Sequence, residues 1–253
     1  MLWERLTWEE IAALRDGGMD MAILPVGATE QHGPHLALDV DTVSAVAVAS
    51  GVSAVTGVPV MPAIPYGCSL GHSRRWPGTI AVTPQVLMDL VTQVGDWVIG
   101  AGFRRLLILN GHVTNAAPLR CALELLRSRH DQALVASLSL HEISPRVREA
   151  YHADADDWHA NAAETALMLE IAPDSVRPDR VATADDPDRT AGLFFSHPVN
   201  RTSANGVTGS PSRARREDGA RLFTWLVDDL AGRVRQALTE APPLPHPYGA
   251  PPA

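Results

Sequence analysis

The chain has 253 residues, of which 45% are hydrophobic and 20% charged, and a formal net charge of −8. That is enough for one large α/β domain of ordinary globular composition, without the basic excess that nucleic acid requires. All 21 basic residues are arginine, which excludes a Schiff-base lysine and a phosphate-loop lysine.

The two cysteines, Cys68 and Cys121, sit in no CxxC pattern. The first residues carry acidic side chains and no apolar leader, and no apolar run reaches membrane-spanning length. A cytoplasmic protein without a disulfide framework is expected, with no membrane partner.

In chain order, residues 7–15 read as a short helix, with Thr7 as N-cap and Glu10 completing a capping box. The apolar run 21–26 reads as a buried strand. Its exit carries Glu30-Gln31-His32-Gly33-Pro34-His35 and then Asp39-Val40-Asp41. In an extended segment Glu30 and His32 point to one side. With a following carboxylate they suit a hard or borderline divalent ion such as zinc or manganese. A polar loop with a surface histidine and a capping aspartate fits that spacing equally well.

Residues 41–55 have helical spacing, and 58–64 read as a short or edge strand interrupted by prolines. Gly67-Cys68-Ser69-Leu70-Gly71 fits G-x-S-x-G, the nucleophile elbow of serine hydrolases. That motif needs a helix straight after the serine, and Pro77 and Gly78 break the following run. Residues 84–101 read as a helix capped by Thr83, with Pro84 at its first position. Residues 104–109, two arginines followed by the apolar Leu106-Leu107-Ile108-Leu109, read as a second buried strand and lead into Asn110-Gly111-His112-Val113-Thr114-Asn115. Two strand exits with metal-type residues suggest one shared site. A helix over 115–129 and a strand over 133–140 complete a βαβ alternation. This predicts an α/β fold in one domain over 1–240, a mainly parallel sheet between helix layers. Residues 160–171 read as a buried helix, 173–198 as irregular, 213–238 as an amphipathic helix and 241–253 as a Pro-rich tail.

These residues resemble the creatininase family of metal hydrolases. The resemblance is carried by Gly27-Ala28-Thr29-Glu30-Gln31-His32-Gly33-Pro34-His35-Leu36, Asp39-Val40-Asp41-Thr42, Pro77-Gly78-Thr79-Ile80, Asn110-Gly111-His112 and residues 159–165. It implies a creatininase-like fold with two divalent ions per subunit (zinc, manganese or iron). Their ligands would be Glu30, His32, Asp41 and His112, with Asp41 as the bridge. It further implies that Glu164 and His159 move protons, that His72 or Ser73 touches substrate, and that the chain forms a homo-oligomer, commonly a hexamer. Trp158, beside His159, is a candidate stacking surface and equally a candidate core residue.

The implied chemistry is hydrolysis of a non-peptide, often cyclic, C–N amide bond of a small polar substrate by a metal-activated water. Creatinine hydrolysis, deformylation of formamides and processing of a peptide-derived cofactor all occur among relatives. Readings of another class are a ligand-binding homologue without catalysis and a serine hydrolase using Ser69. Two departures stand out. Creatininases proper carry a glutamate two positions after the residue matching His112, where this chain has Thr114. This argues against creatinine as the substrate and makes Glu164 the candidate to compensate. Residues 205–211 resemble a family segment that usually carries aspartate where Ser210 stands.

Overall fold

The computed structural model describes residues 1–72 and 74–244. Ser73, one of the expected substrate contacts, and residues 245–253 of the expected tail lie outside the described residues.

Helix α1 (Trp8–Asp16) opens with the expected capping box: Thr7 Oγ1 accepts from Glu10 N, and the Glu10 carboxylate accepts from Thr7 N. Strand β1 (Met21–Val26) is buried along its whole length. It leads through a long loop into α2 (Val40–Thr56). Helix α3 (Pro84–Gly100) starts at Thr83, whose hydroxyl accepts from Val86 N. Then follow β2 (Arg105–Asn110), α4 (Ala116–Arg129), β3 (Leu134–Ser139) and α5 (Pro145–Tyr151). The chain continues with α6 (Ala162–Ile171), the four-residue α7 (Pro178–Val181) and α8 (Val199–Thr202), and closes with α9 (Arg216–Ala237).

The sheet order is β1-β2-β3, and every pairing is parallel. Met21 is level with Arg105, Val26 with Asn110, and Asn110 with Ser139, so the strand exits lie at one edge. The expected strand over 58–64 is reduced to single bridges, Val60 to Ile23 and Ile64 to Val26. Pro59, Pro62 and Pro65 lack the N–H groups a continuous ladder needs.

Side-chain alternation sends Ile23, Leu107 and Leu109 to one face, where α2, α5, α6 and α9 cover them. Ala22, Leu24, Leu106 and Ile108 face the other way, against α3, α4 and Phe103. A parallel strand covered on both faces must be apolar along its buried length, as β1 and Leu106–Leu109 of β2 are, whereas β3 is only partly buried. Each fully buried Leu or Ile contributes about 1.5–3 kcal/mol.

Two glycines let α2 approach the strand exits. A side chain at Gly27 would meet Thr42 at 2.4 Å, and one at Gly111 would meet the Asp41 carbonyl oxygen at 2.2 Å. The first turn of α2, which carries Asp41, is thereby brought against the ends of β1 and β2. Among the described residues, no helix is long and apolar enough to cross a membrane.

Candidate metal centre

The loop after β1 is tied on both sides. Glu30 N donates to the Leu38 carbonyl at 2.8 Å, and Gln31 N to Thr79 Oγ1 at 3.0 Å. His35 Nε2 donates to Thr165 Oγ1 at 2.8 Å, because the threonine hydroxyl already donates to the Asn161 carbonyl. Burial, with the charge on His32, lowers the His35 pKa to about 4. A neutral His35 therefore pins the loop to α6.

Glu30, His32, Asp41 and His112 come together at the sheet edge, all buried. The two oxygens of Asp41 face different histidines: Oδ1 lies 3.3 Å from His32 Nε2, and Oδ2 lies 3.2 Å from His112 Nδ1. Glu30 Oε2 is 3.2 Å from His112 Nε2, and Glu30 Oε1 is 3.1 Å from His72 Nδ1. Yet Glu30 Oε1 and Oε2, His32 Nε2 and Asp41 Oδ2 have no hydrogen-bond partner. Orphaned buried polar atoms cost roughly 1–3 kcal/mol each, more for charged groups. Four in one place point to a missing ligand rather than to tolerated defects.

Metal–ligand bonds of about 2.0–2.2 Å at tetrahedral angles would set neighbouring ligand atoms roughly 3.3–3.6 Å apart. The separations between Asp41 and its two histidines are close to that. The donor set of imidazoles and carboxylates also suits a divalent ion. His32 Nδ1 donates to the Glu30 carbonyl at 3.1 Å, which makes Nε2 the nitrogen that would ligate once the ring is neutral. The residues therefore fit a divalent metal. Asp39, rather than Asp41, occupies the cap position of α2, without a side-chain cap bond.

Glu164 and His159 reach the same place. Glu164 lies in the first turn of α6, and its Oε1 is 3.8 Å from His32 Nε2. Its Oε2 accepts from Ala160 N at 2.6 Å. Ala160 takes a left-handed conformation, φ 49°, which for a non-glycine residue costs on the order of 1 kcal/mol. His159 stands before the helix, in a two-way backbone pairing with Thr208, and its Nε2 is 3.5 Å from Glu30 Oε1.

Charges in the cluster are strongly displaced. Burial raises Glu30, and burial lifts Glu164 to about 7. Burial works against a charged His32, but Asp41, with Glu164 and Glu30, outweighs it and holds the pKa up at about 10. His112 is held at about 9 against burial by Glu30 and Asp41. Asp41 is lowered because His32 and His112 overcome its burial. Burial and the neighbouring imidazolium charges push His72 down to about 3 and His159 well below its ordinary value.

A cavity of about 400 Å³ opens onto this cluster, lined in part by Glu30, Asp41, His72, His112, Trp158, His159 and Glu164. Trp158 meets both expectations: it lines the cavity, yet it packs on Tyr151 at 4.8 Å and donates from Nε1 to His152 at 3.3 Å. Ser69 is fully buried and 3.3 Å from His112 Nε2, but turns follow it where an elbow needs a helix. Ser210 gives its backbone N–H to Asp154 at 2.7 Å.

Gln31 escaped the sequence reading, because strand alternation would turn it away from Glu30 and His32. The segment is not a strand. The Gln31 amide donates to His72 Nδ1 at 2.8 Å and to the Gly206 carbonyl at 3.1 Å, while its carbonyl oxygen accepts from Gly33 N. With both amide hydrogens used, His159 Nε2 donates to the Gln31 backbone carbonyl at 2.9 Å. Its position inside the Glu30–His32 motif was the only available signal.

The molecule is of the α/β class with its candidate site at the carboxyl ends of parallel strands, where buried histidines and carboxylates gather. Residues 4–234 match the family described as "Creatininase: Creatinine amidohydrolase". The chain is 33% identical over 232 residues to the mycofactocin precursor peptide peptidase of Mycolicibacterium smegmatis, covering 85% of each chain. It is 31% identical over 255 residues to the creatinine amidohydrolase of Pseudomonas putida, covering 94% of this chain and 96% of that one. Two solved creatininase structures, a mutant of Zn-Zn type and a Mn form, superpose with TM-score 0.83 at 30% identity. They cover 94% of this chain and 98% and 99% of their own. The chain belongs to the creatininase family.

Proposed function

We propose that this protein is a metal-dependent amidohydrolase holding two divalent ions. Glu30, His32, Asp41 and His112 would hold the two ions, with Asp41 as the bridge and Glu164 beside them. The single observation that carries this reading is the cluster of unpartnered buried atoms on Glu30, His32 and Asp41. Asp41 presenting one oxygen to each of two histidines supports its role as the bridge. Zinc or manganese is the expected metal.

Such ions polarise a carbonyl and bring the pKa of water towards neutrality. The chain's own residues supply the rest. Glu164 Oε2 is held by the Ala160 N–H, so Oε1 is the atom free to exchange a proton. A carboxyl near 7 takes a proton from water and returns it to a leaving nitrogen at neutral pH. His159, kept neutral and fixed by the Gln31 carbonyl, lines the cavity beside it and orients the leaving group. Trp158 and His72 form the wall against which a small polar substrate lies.

The cavity volume suits a small amide, open-chain or cyclic, with a non-peptide C–N bond. A second reading, cleavage near the end of a peptide, is favoured by the 33% identity to a precursor peptide peptidase. A cytoplasmic homo-oligomer, hexameric by family resemblance, completes the proposal. The test is a screen of cyclic amides, formamides and short peptides with zinc- or manganese-loaded protein. Activity lost on chelation and regained on metal addition supports the reading. Chelator-insensitive activity overturns it.

A further inference from the structure

The position where creatininases carry a ligating glutamate holds Thr114, and its hydroxyl is placed for a different task. Thr114 lies in the tight turn Val113–Asn115 straight after His112. Its Oγ1 donates to the Cys68 carbonyl at 2.8 Å. The Cys68 segment is fixed from the other side, because Cys68 N donates to Asn115 Oδ1 at 2.9 Å. Thr114 Oγ1 also lies 2.5 Å from His112 Nε2. A hydroxyl has one hydrogen. Since that hydrogen goes to Cys68, Oγ1 can only accept from His112, so Nε2 carries the proton.

In neutral imidazole the other nitrogen, Nδ1, then holds the lone pair. Nδ1 faces Asp41 Oδ2 at 3.2 Å, and that oxygen has no hydrogen-bond partner. In the metal-free protein a charged His112 points Nδ1–H at that oxygen; once the proton is given up, the two lone pairs face each other across a gap that a cation would fill. We propose that Thr114 is a positioning residue: by accepting from Nε2–H it fixes the His112 tautomer that presents Nδ1, together with Asp41 Oδ2, to a metal ion. This rests on the two-metal reading and adds which nitrogen ligates and what holds it there. The residue that replaces a carboxylate ligand thus works through its neighbour. The geometry is a relay from the Cys68 carbonyl to the Thr114 hydroxyl to the imidazole, the hydroxyl counterpart of the carboxylate or carbonyl that orients ligand histidines elsewhere.

The test uses zinc alone as the probe. Zinc affinity is measured by chelator competition for the wild type, Thr114→Ser and Thr114→Val. In parallel, the imidazole nitrogens of the zinc-loaded wild type are assigned by long-range ¹H–¹⁵N correlation. Val keeps the shape and removes the acceptor, and Ser restores it. The expected results are a loss of roughly 10–100-fold in Val, affinity within about threefold of wild type in Ser, and a protonated Nε2 with a metal-shifted Nδ1 on His112. Val binding zinc as tightly as wild type, or a spectrum with Nε2 metal-bound, overturns the role of Thr114 and leaves the metal centre standing. Wild-type protein that binds no zinc overturns both. The spectrum is read on the wild type, so the test does not depend on a variant folding.

Discussion

Metal loading should be steeply pH-dependent, with a size set by the histidines of the cluster. In the metal-free protein His32 and His112 have pKa values of about 10 and about 9. At pH 7 each carries a proton that a metal must displace, because only the neutral ring ligates. Zinc affinity should therefore rise roughly a hundredfold per pH unit between about 7 and 9, for two protons released. It should rise about tenfold from 9 to 10 and flatten above. Below about 7, Glu164 contributes a third proton if it ligates.

The effect on stability has the opposite sign. A histidine whose folded pKa lies above its unfolded value stabilises the metal-free fold fully below about 6.5. It loses that contribution as pH rises through 9 and 10. The metal-free protein should be most stable on the acid side of this window and the loaded protein on the alkaline side. The assay is titration calorimetry of zinc into metal-free protein at pH 7.5, in buffers of differing ionisation enthalpy. About two protons released per chain are expected. Fewer than one would refute the arrangement of His32 and His112 around the carboxylates.

Asp41→Ala should damage metal loading more than Glu164→Ala. Asp41 faces both histidines, while one oxygen of Glu164 is held by Ala160. Glu164→Ala should instead lower turnover by about 10²–10⁴-fold. Equal metal content in the two folded variants would contradict Asp41 as the bridge. Ser69→Ala should keep most of the activity, and a thousandfold loss at unchanged metal content would restore the serine-hydrolase alternative. Creatinine turnover by metal-replete protein should fall below the ordinary enzyme range of roughly 1–10³ s⁻¹. The reason is that Thr114 supplies no anionic ligand. A rate inside that range, or one unchanged in Thr114→Glu, would show that the departure at this position does not decide the substrate.

Much of the fold was readable because the signals are local. β1 is an unbroken apolar run and β2 holds the apolar stretch Leu106–Leu109, and α1 and α3 begin after Thr7 and Thr83, which accept the hydrogen bonds expected of caps. The strand over 58–64 read less well, because its prolines remove the ladder while leaving the apolar pattern. Helix α5 was not anticipated. It has seven residues, too few for a period, although Ser144 and Pro145 are a proper helix start.

The candidate site divides in the same way. Glu30 and His32 stand out by spacing and His112 by its place at a second strand exit. Asp41 was readable as the following carboxylate, but its role as a bridge and the place of Glu164 beside it depend on how α2 and α6 dock, and only the family resemblance implied those. Gln31 and His35 were not legible as struts, because their partners His72, Gly206 and Thr165 are distant in sequence.

The central claim is that the buried cluster is a metal centre. Elemental analysis of protein purified without chelator tests it most directly, with Asp41→Ala as the control. The account predicts two divalent transition-metal ions per chain in the wild type and a marked loss in the variant. A metal-free wild type that takes up neither zinc nor manganese, while folded, would contradict it.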